Sequence, residues 1–278
     1  MTEDIQLPIS HTYNAELVRW SDNRTDTEII REKRTLTVAE EVPLSLVYGG
    51  IDYAIMMITP HDVNDFVTGF SLTEGIISSV AELRQITVTR TENGLKAEML
   101  AGPEAMRKVL SRNRRPIAGR TGCGICGSDE NSLLHDRPGM TVAGHEPSPT
   151  SLHRALENIR SHQVLNKDVG MLHAAAWCHP DGHIAHIRED VGRHNALDKL
   201  IGLGIRENLD FREGFCLLTS RCSYEMVAKA VTAGISAVVA LSSPTAFALR
   251  IAREAGLALI SPAHSTHFTV SSPDAMLR

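Results

Sequence analysis

The segment 215-FCLLTSRCSYEMVAKAVTAGISAVVALSSPTAFALRIAREAGLALI-260 alternates short apolar runs with longer stretches of helical periodicity. The runs 215–219, 237–241 and 257–260 have the length and the apolar content of buried strands. Between them, 224–234 and 245–256 have the pattern of helices. Strands and helices that alternate through short connections predict a parallel sheet flanked by helices. We therefore expect an α/β fold in this part of the chain.

The residues just upstream extend this α/β unit. A helix is predicted for 151–162, and a second one for 193–205, where apolar residues share one face. The strand-like runs 174–178 and 183–188 surround a Pro-Asp-Gly turn and predict a hairpin. Residues 150–278 are therefore predicted to form one α/β domain.

The N-terminal half has a different pattern, with two predicted hairpins around one helix. The first hairpin spans 42–60 and turns at two glycines, and the second joins strands at 86–91 and 95–100. The helix covers 62–77 and is predicted to start at the acidic cap residue Asp62. Antiparallel strands with one helix indicate an α+β arrangement.

The chain is predicted to have four parts. Residues 1–33, polar and mixed in charge, are expected to be a loosely attached lead-in, and 34–110 form the smaller N-terminal α+β part. Periodicity disappears in 111–149. Because loops of this length inside compact chains are usually functional or disordered, we interpret this one as a mobile cysteine loop with a function. The α/β domain of 150–278 follows.

Charge and composition exclude several classes of protein. The 28 basic and 33 acidic residues give a formal net charge of −5, which argues against binding to nucleic acid or to a membrane surface. The N-terminus lacks the basic start and apolar core of a secretory signal, and no apolar run approaches the roughly 20 residues of a membrane span. We expect a cytoplasmic protein whose five cysteines are thiols.

The stretch 120-RTGCGICGSDE-130 places Cys123 and Cys126 in a C-x-x-C pair among glycines. A structural zinc site usually draws on two such pairs, and since the chain has no second pair we expect no metal. A redox pair would start a helix, but no helical periodicity follows at once. The third use is a nucleophile: glycines free the backbone, and arginines upstream favour the reactive thiolate, which can carry sulfur as a persulfide. All three uses stay open here, and the flanking residues favour the nucleophile.

Two further stretches have the pattern of an anion site. In 189-EDVGRHNALDKL-200, a glycine and Arg193 stand at the start of a predicted helix, and helix N-termini of this kind bind anions. In 219-TSRCSYE-225, Arg221 lies between a strand and a helix, at the edge where α/β sheets bind ligands. The alternative is that the serines cap the helix and Arg221 is solvated. Together the stretches predict a pocket for a phosphate-bearing ligand.

The nearest match to a zinc deaminase signature is incomplete. Such enzymes need H-x-E followed by P-C-x-x-C, in which the glutamate moves protons to and from the zinc-bound water. Here 173-HAA-175 places Ala175 where the glutamate would be, and 220-SRCSYE-225 has only one cysteine. We therefore do not expect deaminase chemistry.

Six segments of the chain carry a joint pattern: 41-EVPLSLVYGG-50, 69-GFSLTEGII-77, 118-AGRTGCGICG-127, 173-HAAAW-177, 188-REDVGRHNALDKL-200 and 219-TSRCSYEMV-227. Together they resemble the FdhD family of formate dehydrogenase accessory sulfurtransferases, over residues 36–270. The resemblance implies a cytidine-deaminase-like three-layer α/β domain without deaminase activity, beside a smaller N-terminal α+β part.

The resemblance also implies a function and partners. Members of the family take sulfur from a cysteine desulfurase and pass it to the molybdenum cofactor, bis-molybdopterin guanine dinucleotide (bis-MGD), which formate dehydrogenase requires. The persulfide-bearing cysteine of the family matches Cys123, and the second cysteine matches Cys126. The resemblance also suggests a homodimer. The alternative function is a zinc-stabilised module that chaperones the cofactor or the apoenzyme and transfers no sulfur.

The family's cofactor-binding stretch matches 262-PAHSTH-267. Where the family commonly has phenylalanine and basic residues, this chain has Pro262, His264 and His267, and histidine can still donate a hydrogen bond to a phosphate. We expect the guanine nucleotide portion of the cofactor to lie near Arg193, His194, Arg221 and this stretch, which consists of Pro262, Ala263, His264, Ser265, Thr266 and His267.

Overall fold

The computed structural model describes residues 7–23, 26–113, 141–142, 144 and 146–272. The strands are β1 Ser10–Asn23, β2 Asp26–Ala39, β3 Val42–Tyr48, β4 Ile51–Ile58, β5 Leu83–Thr91, β6 Gly94–Ala101, β7 His173–Cys178, β8 Ile184–Asp190, β9 Phe215–Leu218, β10 Ala237–Ala240, β11 Ala258–Ala263 and β12 Phe268–Ser272. The helices are α1 Val63–Thr73, α2 Pro103–Asn113, α3 Pro149–His162, α4 Asn166–Val169, α5 Arg193–Arg206, α6 Tyr224–Ala233 and α7 Ala246–Ala255.

The C-terminal half forms a mixed sheet in the order β12-β11-β10-β9-β7-β8. Strands β9, β10 and β11 are parallel, as predicted, and they are apolar because helices cover both of their faces. Helices α5, α6 and α7 pack on one face of the sheet, and α3 packs on the other. The α/β prediction is confirmed. The antiparallel strand β12 was not predicted, and β7 pairs antiparallel with β9.

The N-terminal half forms a four-stranded sheet in the order β4-β3-β6-β5. Both predicted hairpins are confirmed, β3–β4 and β5–β6. The sequence did not reveal that β3 and β6 pair in parallel, a pairing that needs a crossover connection, and this one contains α1. Helices α1 and α2 share one core with the sheet, and α2 was not predicted.

The predicted acidic cap of α1 is wrong in one respect. Asp62 occupies the N-cap position, but it has a left-handed backbone (φ 54°) and its side chain makes no capping hydrogen bond. The carboxylate instead pairs with His61 at 2.8 Å and with Arg188 at 3.4 Å. A tertiary ion pair therefore replaces the expected local cap. At its other end the helix stops at Thr73, four residues before the predicted end at residue 77.

The two halves meet where α1 crosses α5, and two glycines allow the crossing. A Cβ atom at Gly69 would collide with the backbone carbonyl oxygen of Asp198, and one at Gly202 would collide with that of Asp65. The backbones of the two helices are therefore in direct contact. Side chains at either glycine would force the helices, and with them the two sheets, apart.

A buried charge also joins the helices at this crossing. Lys229 of α6 lies 2.9 Å from the carboxylate of Asp198 on α5, and it donates a 2.9 Å hydrogen bond to the hydroxyl of Thr73 at the end of α1. Thr73 in turn donates to Asp198 at 2.7 Å. Because a buried ion pair is costly when one partner is missing, this triad requires all three helices to be in place.

The first described residues form a two-stranded ribbon, where a loosely attached lead-in was expected. Strands β1 and β2 pair in continuous register from Ser10–Ala39 to Asn23–Asp26 and belong to a sheet of their own. The expected break between 33 and 34 therefore falls inside β2. The ribbon escaped prediction because its apolar residues are scattered among charges on both faces and give no clear period of two.

None of the helices in the described ranges is long and apolar enough to cross a membrane.

The helix crossing predicts a strong effect of a single methyl group. Gly202→Ala should lower the free energy of unfolding by about 3 kcal/mol, because the new Cβ overpacks the contact with α1. Gly102→Ala is the control, since a Cβ there would meet its nearest neighbour at 3.8 Å. The control should change stability by less than about 1 kcal/mol. Equal unfolding curves in urea for the two variants would show that the crossing is loosely packed.

Candidate functional site

The carboxyl ends of β9, β10 and β11 meet at one edge of the C-terminal sheet, where open α/β sheets bind ligands. Strand β7 runs the opposite way, so its first residue, His173, lies at the same edge. Thr219, just after β9, bonds to β7 at this edge. Its N–H donates to Ala174 O at 3.0 Å, and its hydroxyl accepts from Ala174 N at 2.8 Å. The predicted segment 219–225 and the start of α5 therefore belong to one edge.

Most polar residues of the stretch 188–200 have structural roles and do not line this edge. Asp190 and Lys199 are fully buried and form an ion pair at 2.7 Å. Asp190 also accepts hydrogen bonds from Thr59 N, Gly192 N and the amide of Asn195, at 2.8–3.0 Å. Lys199 donates to Thr59 O at 3.0 Å. This satisfied network joins the residue after β4 to the first turn of α5.

Two more charged residues of that stretch are also engaged elsewhere. Arg188 donates to the carboxylate of Asp65 on α1 at 2.8 Å. Glu189 accepts from the backbone N–H groups of Leu165 and Asn166 at 2.8 and 3.0 Å, and burial raises the pKa of its carboxyl group. The acidic turn that the sequence analysis placed beside an anion site thus holds α4 and α1 against the sheet.

Arg193 and His194 are the two residues of the stretch that keep hydrogen-bonding capacity. His194 is 8% exposed, and neither its Nε2 atom nor the buried Nε atom of Arg193 has a hydrogen-bond partner among the described residues. The nearest acidic atom to His194 Nε2 is Glu225 Oε2 at 3.8 Å, which is too long for a hydrogen bond. Because unpaired buried groups cost free energy, their presence indicates a place where a ligand supplies the partners.

His173 and Arg221 complete a basic cluster with these two residues. Burial lowers the pKa of His173, the positive charges of Arg193, Arg221 and His194 lower it further, and Asp190 opposes the shift. The structure therefore brings the predicted residues Arg193, His194 and Arg221 together. It adds His173, which the sequence analysis considered only as part of a failed deaminase motif. Its position at the carboxyl edge, next to the Ala174 that bonds to Thr219, becomes evident only from strand pairing.

Glu225 is the acidic member of the site. Interaction with the His194 imidazole and a 2.6 Å hydrogen bond from Ser223 Oγ lower the pKa of the Glu225 carboxyl group from 4.5 to about 2. The carboxylate is therefore ionised at neutral pH and lies beside His194 at the start of α6. The predicted alternative, in which Ser223 caps this helix, is not what forms: its side chain makes no capping hydrogen bond.

The stretch 262–267 lies further along the same edge. Pro262 and Ala263 end β11, and His264 N donates to His267 O at 2.8 Å across the turn to β12. Ser265 O contacts the ring of His153 on α3 at 2.9 Å. Since β9 and β10 separate β11 from β7, the strand before the turn is three strand spacings, or about 14 Å across the sheet, from the strand that begins at His173.

The five cysteines fall into two groups. Cys123 and Cys126, the predicted sulfur carriers, lie outside the described residues. Cys178, Cys216 and Cys222 are buried, and burial raises the pKa of each thiol, to about 12 for Cys222. Because these pKa values are raised, the three buried thiols are poor nucleophiles at neutral pH. No group of three metal-ligating side chains occurs within the described ranges.

The pKa of Glu225 predicts a change in acid stability. Because its folded-state pKa of about 2 lies below its ordinary value of 4.5, the carboxylate stabilises the fold above pH 4.5 and loses this effect as pH falls towards 2. Glu225→Gln should therefore destabilise the protein more at pH 6 than at pH 3, measured by urea unfolding. Glu213→Gln, on an exposed glutamate, is the control. An equal loss at both pH values would contradict the assigned interaction with His194.

Comparison with known proteins identifies the family of the chain. The sulfur carrier protein FdhD of Cupriavidus necator is 41% identical over 222 residues, which are 80% of this chain and 77% of the relative. The sulfur carrier protein FdhD of Bordetella petrii is 41% identical over 243 residues, 87% and 86% of the two chains. A crystal structure of a formate dehydrogenase accessory protein from Desulfotalea psychrophila has the same fold, with a TM-score of 0.74 at 20% identity over 97% of this chain and 100% of that one. The sequence model of the FdhD/NarQ family matches residues 39–277, and the chain belongs to that family.

Proposed function

We propose that this chain is a sulfur carrier that serves the maturation of formate dehydrogenase. The observation that carries the proposal is the 41% identity, over four fifths or more of the chain, to relatives named as sulfur carriers. The basic cluster of His173, Arg193, His194 and Arg221 supports it, because a sulfur acceptor that bears phosphates requires such a cluster. The protein acts in the cytoplasm, as a homodimer, between a cysteine desulfurase and the apoenzyme.

The proposed chemistry is a persulfide relay and makes the chain a sulfurtransferase. The thiolate of Cys123 attacks the outer sulfur of the desulfurase persulfide, a new S–S bond forms at Cys123 Sγ, and the desulfurase cysteine leaves as a thiolate. In the direct route the acceptor attacks the outer sulfur with an electron pair, the S–S bond breaks, and Cys123 leaves as a thiolate. In the alternative route Cys126 attacks Cys123 Sγ and displaces the outer sulfur as hydrosulfide. The second route leaves a Cys123–Cys126 disulfide that a cellular thiol must reduce.

The proposed acceptor is bis-MGD, which is a substrate here and not a resident cofactor. The unpaired donors of Arg193 and His194 are suited to phosphate oxygens of its guanine nucleotide portion. The turn at 262–267 would contact another part of the same molecule. A separation of about 14 Å across the sheet is one that a dinucleotide can span and a single phosphate ion cannot.

For residues 150–278 we propose a cytidine-deaminase-like domain that has lost deaminase chemistry. Helices on both faces of a mixed sheet support the three-layer arrangement. Ala175 replaces the proton-transferring glutamate, and Cys222 has a thiol pKa raised to about 12 by burial, which disfavours the thiolate that zinc requires. The edge that serves catalysis in deaminases is here available to an anionic substrate.

Sulfur loading tests the first part of the proposal. After incubation with a cysteine desulfurase and cysteine, mass spectrometry should find one added sulfur on the peptide that contains Cys123 in the wild-type protein and none in Cys123→Ala. Cys222→Ala is the control, because its thiol is buried and should not carry sulfur. Full labelling of Cys123→Ala would refute the carrier assignment.

Two further measurements separate the alternatives. If Cys126 releases the sulfur, Cys126→Ala should load normally and transfer slowly, whereas direct transfer predicts a normal rate. Metal analysis tests the zinc-stabilised chaperone: stoichiometric zinc in the wild-type protein that is lost in Cys123→Ser would favour it over the sulfur carrier.

Nucleotide binding tests the second part of the proposal. GDP, which carries the guanine and phosphate groups of the substrate, should bind about tenfold more weakly to Arg193→Gln, because one charged hydrogen bond is worth about 1.5 kcal/mol or more. Arg212→Gln is the control, since Arg212 is exposed and pairs with Asp210 away from the cluster. Isothermal calorimetry measures both. Unchanged affinity in Arg193→Gln would place the nucleotide elsewhere.

A further inference from the structure

The β1–β2 ribbon is isolated from both large sheets. Its strands pair at 14 positions without interruption, which makes the ribbon about 44 Å long. Within the described residues no third strand pairs with the ribbon, and a two-stranded ribbon by itself is at best marginally stable in water. The ribbon therefore needs a further surface to pack against.

The base of the ribbon is closed by contacts between its own two strands. Glu40 N donates to Ile9 O at 2.8 Å and continues the pairing of Ser10 with Ala39, and the Glu40 carboxylate lies 2.7 Å from His11 Nε2. Leu7, which precedes β1, packs against the core of the N-terminal half, and β2 approaches α4. Trp20 and Ile29, which pair towards the other end of the ribbon, are exposed and available to a partner.

Large apolar side chains are exposed along the ribbon. Trp20 and Ile29 are 72% and 60% exposed and are cross-strand partners, so they share one face. Tyr13 and Leu36 are a second partner pair, 59% and 45% exposed, and they lie on the opposite face because residues 13 and 20 differ by an odd number. Exposed apolar groups of this size indicate an interaction surface.

The charges of the ribbon favour a protein partner of mixed charge. By sequence the ribbon carries four basic and five acidic residues, and both strands contain residues of both signs. A surface that binds nucleic acid or membrane would carry an excess of positive charge. In a twofold contact between identical chains, basic groups of one copy meet acidic groups of the other, so a surface of mixed sign can complement itself.

The size of the ribbon is suited to a stable dimer. One face of a two-stranded ribbon about 44 Å long and about 10 Å wide covers about 440 Å². In a twofold dimer each ribbon also covers an equal area on the other copy, so two ribbons would bury about 1,800 Å² in total, within the range of stable interfaces.

We propose that the β1–β2 ribbon is an arm that packs against a second copy of this chain and holds the homodimer together. The assignment does not depend on sulfur transfer, because it rests on the isolation, apolar exposure and mixed charge of the ribbon. Its failure would therefore leave the proposed sulfur carrier role unaffected.

Tryptophan fluorescence gives a direct readout of the arm. The chain has two tryptophans, and Trp177 is 2% exposed in the core, so changes on association report on Trp20. On dilution of the full-length protein, the emission should shift to the red and acrylamide quenching should increase. Both changes should occur at the concentration where light scattering shows the mass falling to that of one chain.

A double substitution tests the arm independently of fluorescence. Trp20→Ser with Ile29→Ser should raise the dimer dissociation constant at least a hundredfold by light scattering, because it removes two central apolar contacts. Leu100→Ser is the matched control: Leu100 is 53% exposed on β6, outside the ribbon, and its substitution should leave the dimer intact. Circular dichroism melts check that both variants are folded.

Three outcomes would overturn the proposal. The first is a wild-type protein that is monomeric at all accessible concentrations. The second is a folded double variant that dimerises as tightly as the wild type. The third is dissociation of the wild-type dimer without any change in Trp20 fluorescence, and this readout decides the matter even if the double variant does not fold.

Discussion

The ion pair between Asp190 and Lys199 is the contact on which the rest of the structure depends. Both side chains are fully buried, and removing two charges from water costs several kilocalories per mole unless geometry and hydrogen bonding compensate. Compensation comes from backbone groups of Thr59 and Gly192 and from the amide of Asn195. The pair is therefore satisfied only when the end of β4, the end of β8 and the first turn of α5 lie together. One desolvated contact thus sets how the two sheets meet and where the site begins.

The site differs from this network because its hydrogen bonds are incomplete. Asp190 and Lys199 have partners at short distances. Arg193 and His194, within two turns of Lys199 on the same helix, have buried side-chain nitrogens without a hydrogen-bond partner among the described residues. Local violations of hydrogen-bond satisfaction occur in natural proteins mainly at functional sites, where the surrounding structure tolerates their cost. The close crossing of α1 and α5 at Gly69 provides such a surrounding structure. The helix that presents the donors cannot easily move to satisfy them.

The fold was largely predictable, and the site only in part. Hairpins around glycine-containing turns, and strands alternating with helices from 215 to 260, are patterns between neighbouring residues, and all of them formed. The β1–β2 ribbon and β12 were missed because their apolar residues are interspersed with charged or polar ones. In the stretch 188–200 the sequence revealed a concentration of charge but not its use: most of these charges hold helices and sheets together, and only the start of α5 faces the ligand edge.

Periodicity, turn chemistry and the family motifs could be read from the order of the residues, because they arise from neighbours a few positions apart. The pairing of charges could not be read in this way. Asp190 accepts a hydrogen bond from the backbone of Thr59, 131 positions away, and Lys229 donates one to Thr73, 156 positions away. Which charges are buried with partners, and which keep donors for a ligand, depends on desolvation and hydrogen-bond geometry. Both exist only once distant segments have packed together.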